Sequence, residues 1–138
     1  MRLLLPCLSL AILISTTTAV RAADPLPCSP DLSGHWVGCW KSDKNGHRGP
    51  LRATFTKVSD SCYRVRFFGR FFKVIPFTYA VNLTVTATHG DHVTLAGSLL
   101  LGPVLGAFHT SAVATESSFR AQFTSKGDQG QFLLNRPK

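Results

Sequence analysis

Three arginines, Arg64, Arg66 and Arg70, stand among six aromatic or apolar side chains in YRVRFFGRFF, Tyr63 to Phe72. Arginine beside aromatic rings suits anion recognition, because guanidinium forks pair with phosphate or carboxylate oxygens and also lie well on ring faces. With Arg52 and Lys73 close by, the candidate anionic-surface patch is Arg52, Arg64, Arg66, Arg70 and Lys73. Catalytic groupings do not gather beside it. Glu116 is the only glutamate, and no two carboxylates fall on one inward face for acid–base work. No serine or cysteine sits in a nucleophile motif, so the chain reads as non-enzymatic and without a cofactor. His89 and His92 flank a tight turn and offer two metal ligands without a third, which reads as a solvated turn and not as a metal site. Asn82-Leu83-Thr84 is a glycosylation sequon, meaningful only in a eukaryotic secretory pathway.

The formal net charge is +8 at pH 7 over 138 residues, a length that suits one domain. Arg2, the apolar run Leu3 to Ile14 and the small residues of Val20-Arg21-Ala22 read as a secretory signal peptide, 1–22, cut after Ala22. Its removal leaves a tail, 23–32, and a domain, 33–136, with a net charge of about +6 and no transmembrane segment. The expected location is secreted, periplasmic or at the cell envelope. An exported basic domain meets anionic lipid or acidic polysaccharide more readily than nucleic acid.

Period-two patterning runs through nearly the whole domain. In FTYAVNLTVTAT, Phe77, Tyr79, Val81, Leu83, Val85 and Ala87 face one way and threonines largely face the other. The same reading predicts strands near 33–41, 50–58, 62–68, 71–88, 92–101, 106–115, 117–125 and 130–136, separated by short turns. The sixth has no convincing face. Such a meander favours an all-β, up-and-down antiparallel barrel, because closure removes both bare edges; a β-sandwich is the alternative.

Register gives sharper expectations. A two-residue turn at Gly69-Arg70 would set Phe67 opposite Phe72 and Arg66 opposite Lys73, a like-charge pair calling for an anionic partner. The inward set then changes parity between Val74 and Phe77, which predicts a bulge at Pro76. A three-residue loop, His89-Gly90-Asp91, would keep Val93 and Leu95 on the face of Val85. After processing, Cys28, Cys39 and Cys62 remain. Strand order puts Cys28 and Cys62 at one pole and Cys39 at the other, predicting a Cys28–Cys62 disulfide with Cys39 free on the outer face.

On the first strand, SGHWVGCW sets Trp36, Gly38 and Trp40 on one face. Gly34-x-Trp36 resembles the first motif of the lipocalin and wider calycin barrels. That resemblance implies that Trp36 closes a barrel floor, with Arg136 packed across it. The second and third lipocalin motifs are absent, as is the helix after the barrel. The whole mature chain is also similar to small secreted proteins of planctomycete-like bacteria, a likeness that implies no activity. A ligand held inside such a barrel would be small and apolar, with Trp36, Trp40, Phe55, Tyr63, Phe67 and Tyr79 as candidate lining residues. The competing expectation is an interior filled by those rings, since eight strands leave little spare room.

Overall fold

A computed structural model describes residues 29–103 and 106–138 of the chain. Eight strands follow one another: β1 (Gly34–Ser42), β2 (Arg48–Ser59), β3 (Cys62–Phe71), β4 (Ile75–His89), β5 (His92–Leu100), β6 (Ala107–Ala114), β7 (Ser118–Thr124) and β8 (Gln129–Asn135). Each pairs antiparallel with the next, and β8 returns to β1 through pairs such as Gly38↔Leu134 and Trp40↔Phe132. The all-β, up-and-down barrel expected from the alternation is therefore closed and has no free edge. No helix among the described residues is long and apolar enough to cross a membrane.

Alternation fixes what lies inside. Along β3, Tyr63, Val65 and Phe67 are buried while Arg64, Arg66 and Phe68 point outward. β6 buries Phe108, Thr110, Ala112 and Ala114. Apart from Phe108, whose ring lies 5.1 Å from Tyr79, its inward set is small or polar. A conventional hydrophobic pattern is therefore missing from that strand.

Three register expectations are overturned. β3 runs on to Phe71, so Gly69 lies in the strand opposite Phe77 and the chain reverses at Phe72–Val74. Gly69 is required for space and not for turning: a Cβ there would run into the Phe77 ring. Arg66 consequently faces Ala80 and not Lys73, and the like-charge pair does not form. With the turn moved, the odd residues of β4 face inward from Phe77 onward without a change of parity at Pro76. Pro76 pairs with Arg70 in an unbroken ladder, and the bulge expected there is not needed. The bulge lies instead at Thr86, where the register shifts between Val85 and Ala87. That extra residue supplies the parity change, so His89 pairs directly with His92 across a two-residue turn at Gly90-Asp91.

The segment read as a signal peptide, 1–22, lies outside the described residues, as does most of the N-terminal tail, including Cys28 and with it the expected Cys28–Cys62 disulfide. Cys39 is exposed on the outer wall and Cys62 opens β3; neither is bonded to another described cysteine.

Candidate functional site

The two ends of the barrel are built differently. At the end where β1 begins, Leu32 and Trp36 are fully buried, and the indole Nε1 of Trp36 donates to the Leu32 carbonyl at 2.9 Å. The Arg136 guanidinium lies over the Trp36 ring, 4.6 Å from its centroid. Arg136 also donates to three backbone carbonyls: Glu116 at 2.5 Å, Ser33 at 2.7 Å, and Asp31. Gly34 has φ of +113°, which side chains rarely adopt, and Arg136 Nη1 sits 3.3 Å from where a Cβ would project. These contacts give the Gly34-x-Trp36 spacing its local physical reason. Beside them, the Ser33 amide donating to Asp31 holds that carboxyl below its ordinary range.

Above this floor the interior is solid. Trp36, Phe55 and Phe67 pack with Phe119, and Tyr63 with Phe55, through centroid distances of 5.1 to 6.5 Å, and none of the four borders the mouth pocket. Of the six candidate lining residues, only Trp40 and Tyr79 border open space.

That space is a pocket of about 310 Å³ in the mouth at the opposite end, walled by Trp40, Phe71, Phe77, Tyr79, Phe108 and Phe132, among others. Hollows of about 430 Å³ elsewhere are bordered by surface groups such as Arg120, Gln122 and Gln131 on the outer wall, and lack this aromatic lining. Within the mouth the rings form a continuous set: Trp40 to Phe71 at 5.1 Å, Phe71 to Phe77 at 4.4 Å, Phe77 stacked on Tyr79 at 6.3 Å, and Tyr79 to Phe108 at 5.1 Å. Sequence reasoning placed Phe77 inward but missed Phe71, because the misplaced turn put it beside the hairpin tip, and Phe108, because the sixth strand showed no face.

Most polar groups bordering the pocket are already engaged. Trp40 Nε1 donates to the Arg70 carbonyl at 3.1 Å, and Thr78 donates to the Phe67 carbonyl at 3.0 Å. Ser42 donates to the Asp128 carboxylate at 2.5 Å, and the Ser125 hydroxyl donates to the Asp128 carbonyl at 3.0 Å. Two buried side-chain oxygens among the described residues have no hydrogen-bond partner, the Tyr79 phenol and the Thr110 hydroxyl, and of the two residues only Tyr79 borders the pocket. Burial pushes the Tyr79 pKa well above the ordinary tyrosine value. The phenol therefore remains a neutral donor at any physiological pH.

The basic residues lie on or near the outer wall. Arg52, Arg64 and Arg66 project from β2 and β3, with Thr54 paired to Arg66, while Arg70 and Lys73 stand at the mouth. The two ion pairs among the described residues, Lys57–Asp60 and His92–Asp91, involve none of these cations. His89 and His92 stack at 5.4 Å, and no group of three ligating side chains forms among the described residues.

No family model, curated protein or solved structure matches the chain.

Proposed function

We propose that the protein is a secreted, non-enzymatic barrel that binds one small apolar ligand in its mouth. The observation that carries this reading is the buried, unpartnered Tyr79 phenol in an otherwise aromatic pocket. A buried donor without an acceptor costs about 1–3 kcal/mol, and a ligand oxygen or nitrogen placed over the rings would remove that cost. The pocket volume of about 310 Å³ sits at the low end of the roughly 300–1,000 Å³ typical of small-molecule sites. The ligand class is thus a compact, ring-bearing or branched hydrocarbon frame with one hydrogen-bond acceptor. Secretion is supported by the signal-like pattern from Arg2 to Ala22.

Two naphthalene probes test the reading: 2-acetylnaphthalene, which carries a carbonyl, and 2-ethylnaphthalene, which does not. The ketone should bind one per barrel and more tightly than the hydrocarbon. Tyr79→Phe should weaken the ketone about five- to tenfold, the worth of one hydrogen bond, and leave the hydrocarbon unchanged. If neither probe binds, or Tyr79→Phe weakens both equally, the reading fails. Native mass spectrometry of protein taken directly from its secretion host would then identify any retained natural ligand.

A further inference from the structure

We propose that the mouth end docks on the surface of an anionic lipid bilayer, with Phe72, Val74 and Ile75 entering the boundary between headgroups and acyl chains. This inference does not depend on the pocket holding a ligand. It rests on three features that meet at one end of the barrel.

The first is exposed apolar surface. Phe72, Val74 and Ile75, together at the β3–β4 tip, are 65%, 75% and 54% exposed. At the same end, Leu100 closes β5 and is 81% exposed. Single exposed apolar residues are ordinary, but consecutive ones on one projecting tip are the pattern that enters a membrane interface.

The second is charge. Lys41, Lys44, Arg48, Arg70 and Lys73 lie at the same end as the tip, and none of them has a carboxylate within 4 Å among the described residues. Of the described side-chain carboxylates, Asp31, Asp60, Asp91 and Glu116 lie in the segments at the opposite, floor end, while Asp43 and Asp128 lie at the mouth, where the cations outnumber them. The barrel therefore presents its cationic end to an anionic surface and turns its acidic end away. An acidic polysaccharide would answer the cations but would leave the apolar tip in water. The bilayer answers both.

The third is backbone strain at the tip. Phe72 and Lys73 have φ of +51° and +64°, and the Val74 amide donates to the Phe71 carbonyl at 3.1 Å. Left-handed backbone at two bulky residues is unfavourable, and a turn needed only to join two strands would use asparagine or glycine there. The conformation holds the Phe72 ring against the His47 imidazole at 4.8 Å and presents a lysine at the apex.

Flotation of the full protein with vesicles tests the proposal. It should bind vesicles of equal parts phosphatidylglycerol and phosphatidylcholine, lose that binding as salt rises, and bind phosphatidylcholine alone weakly or not at all. Paired substitutions Phe72→Asn and Val74→Asn should weaken binding tenfold or more. Arg70→Gln should weaken it on the order of fivefold, the effect of one cation near an anionic surface. Asparagine accepts left-handed backbone, so the Phe72→Asn chain keeps its fold, and an unchanged circular dichroism spectrum would verify that. Unaltered binding by the paired variant overturns the proposal, and so does equal binding to both vesicle types. Dextran sulfate bound as tightly as the vesicles, irrespective of Phe72, would overturn it in favour of a polysaccharide partner.

Discussion

The floor and the mouth of this barrel are made from the same eight strands, yet they treat polar groups and rings in opposite ways. At the floor, Arg136 satisfies three backbone carbonyls while covering Trp36, and the Trp36 indole has its own acceptor. At the mouth, a phenol is buried with no acceptor, two bulky residues hold left-handed backbone, and a phenylalanine, a valine and an isoleucine face solvent. Folding alone accounts for the first set of contacts. It is opposed by the second, and features that cost stability and survive together at one place point to use. The floor holds the barrel shut; in the proposed reading, the mouth is the end that meets a ligand or a surface.

The largest effects should come from breaking the floor. Trp36→Ala removes a fully buried indole that touches Phe55 and Phe119. It should cost about 3–5 kcal/mol, read as a lowered urea midpoint. Arg136→Met keeps much of the apolar cover over the ring but leaves three carbonyls without their donor. A loss of about 2–3 kcal/mol is expected, since hydrogen bonds from a charged donor are the stronger kind and the cation–π contact is lost with them. A loss below about 1 kcal/mol for Arg136→Met would mean that water satisfies those carbonyls equally well. The floor would then be a packing feature only, and the contrast between the two ends would narrow.

How much of this was legible in the sequence follows the same division. Alternation in β4 and the turn chemistry between strands point to a closed meander because those signals are local, whereas Trp36 and Arg136 are placed at the floor only through a family resemblance. The mouth was harder to read. Gly69 looks like a turn residue, but it is a glycine because the Phe77 ring crosses it, a contact made only by the opposite strand. That one substitution of roles moved the hairpin tip, invented a bulge at Pro76 and paired Arg66 with the wrong neighbour. β6 offered no face because, beyond Phe108, its inner side carries only Thr110, Ala112 and Ala114, a polar residue and two small ones. The unpartnered Tyr79 phenol carries no local signal at all, since a missing partner shows only when every surrounding group has been placed.

The smallest expected change runs in the opposite direction and tests the contrast most directly. Replacing Phe72 and Lys73 together by Phe72→Asn and Lys73→Gly installs the pair preferred where both central turn residues have positive φ. Relief of left-handed backbone is worth about 1–2 kcal/mol per residue. Against it stand the lost Phe72–His47 ring contact, about 0.5–1 kcal/mol, and the extra freedom of a glycine in the unfolded chain, about 0.5–1 kcal/mol. The net should be a gain of about 1.5 kcal/mol, the centre of a range from about 0 to 3, seen as a raised urea midpoint with an unchanged slope. A stabilised barrel that no longer floats with phosphatidylglycerol vesicles would show that the native tip trades stability for contact with a surface. A destabilised one would mean that the Phe72–His47 packing outweighs the strain, and the tip would then belong with the floor among the features that folding alone explains.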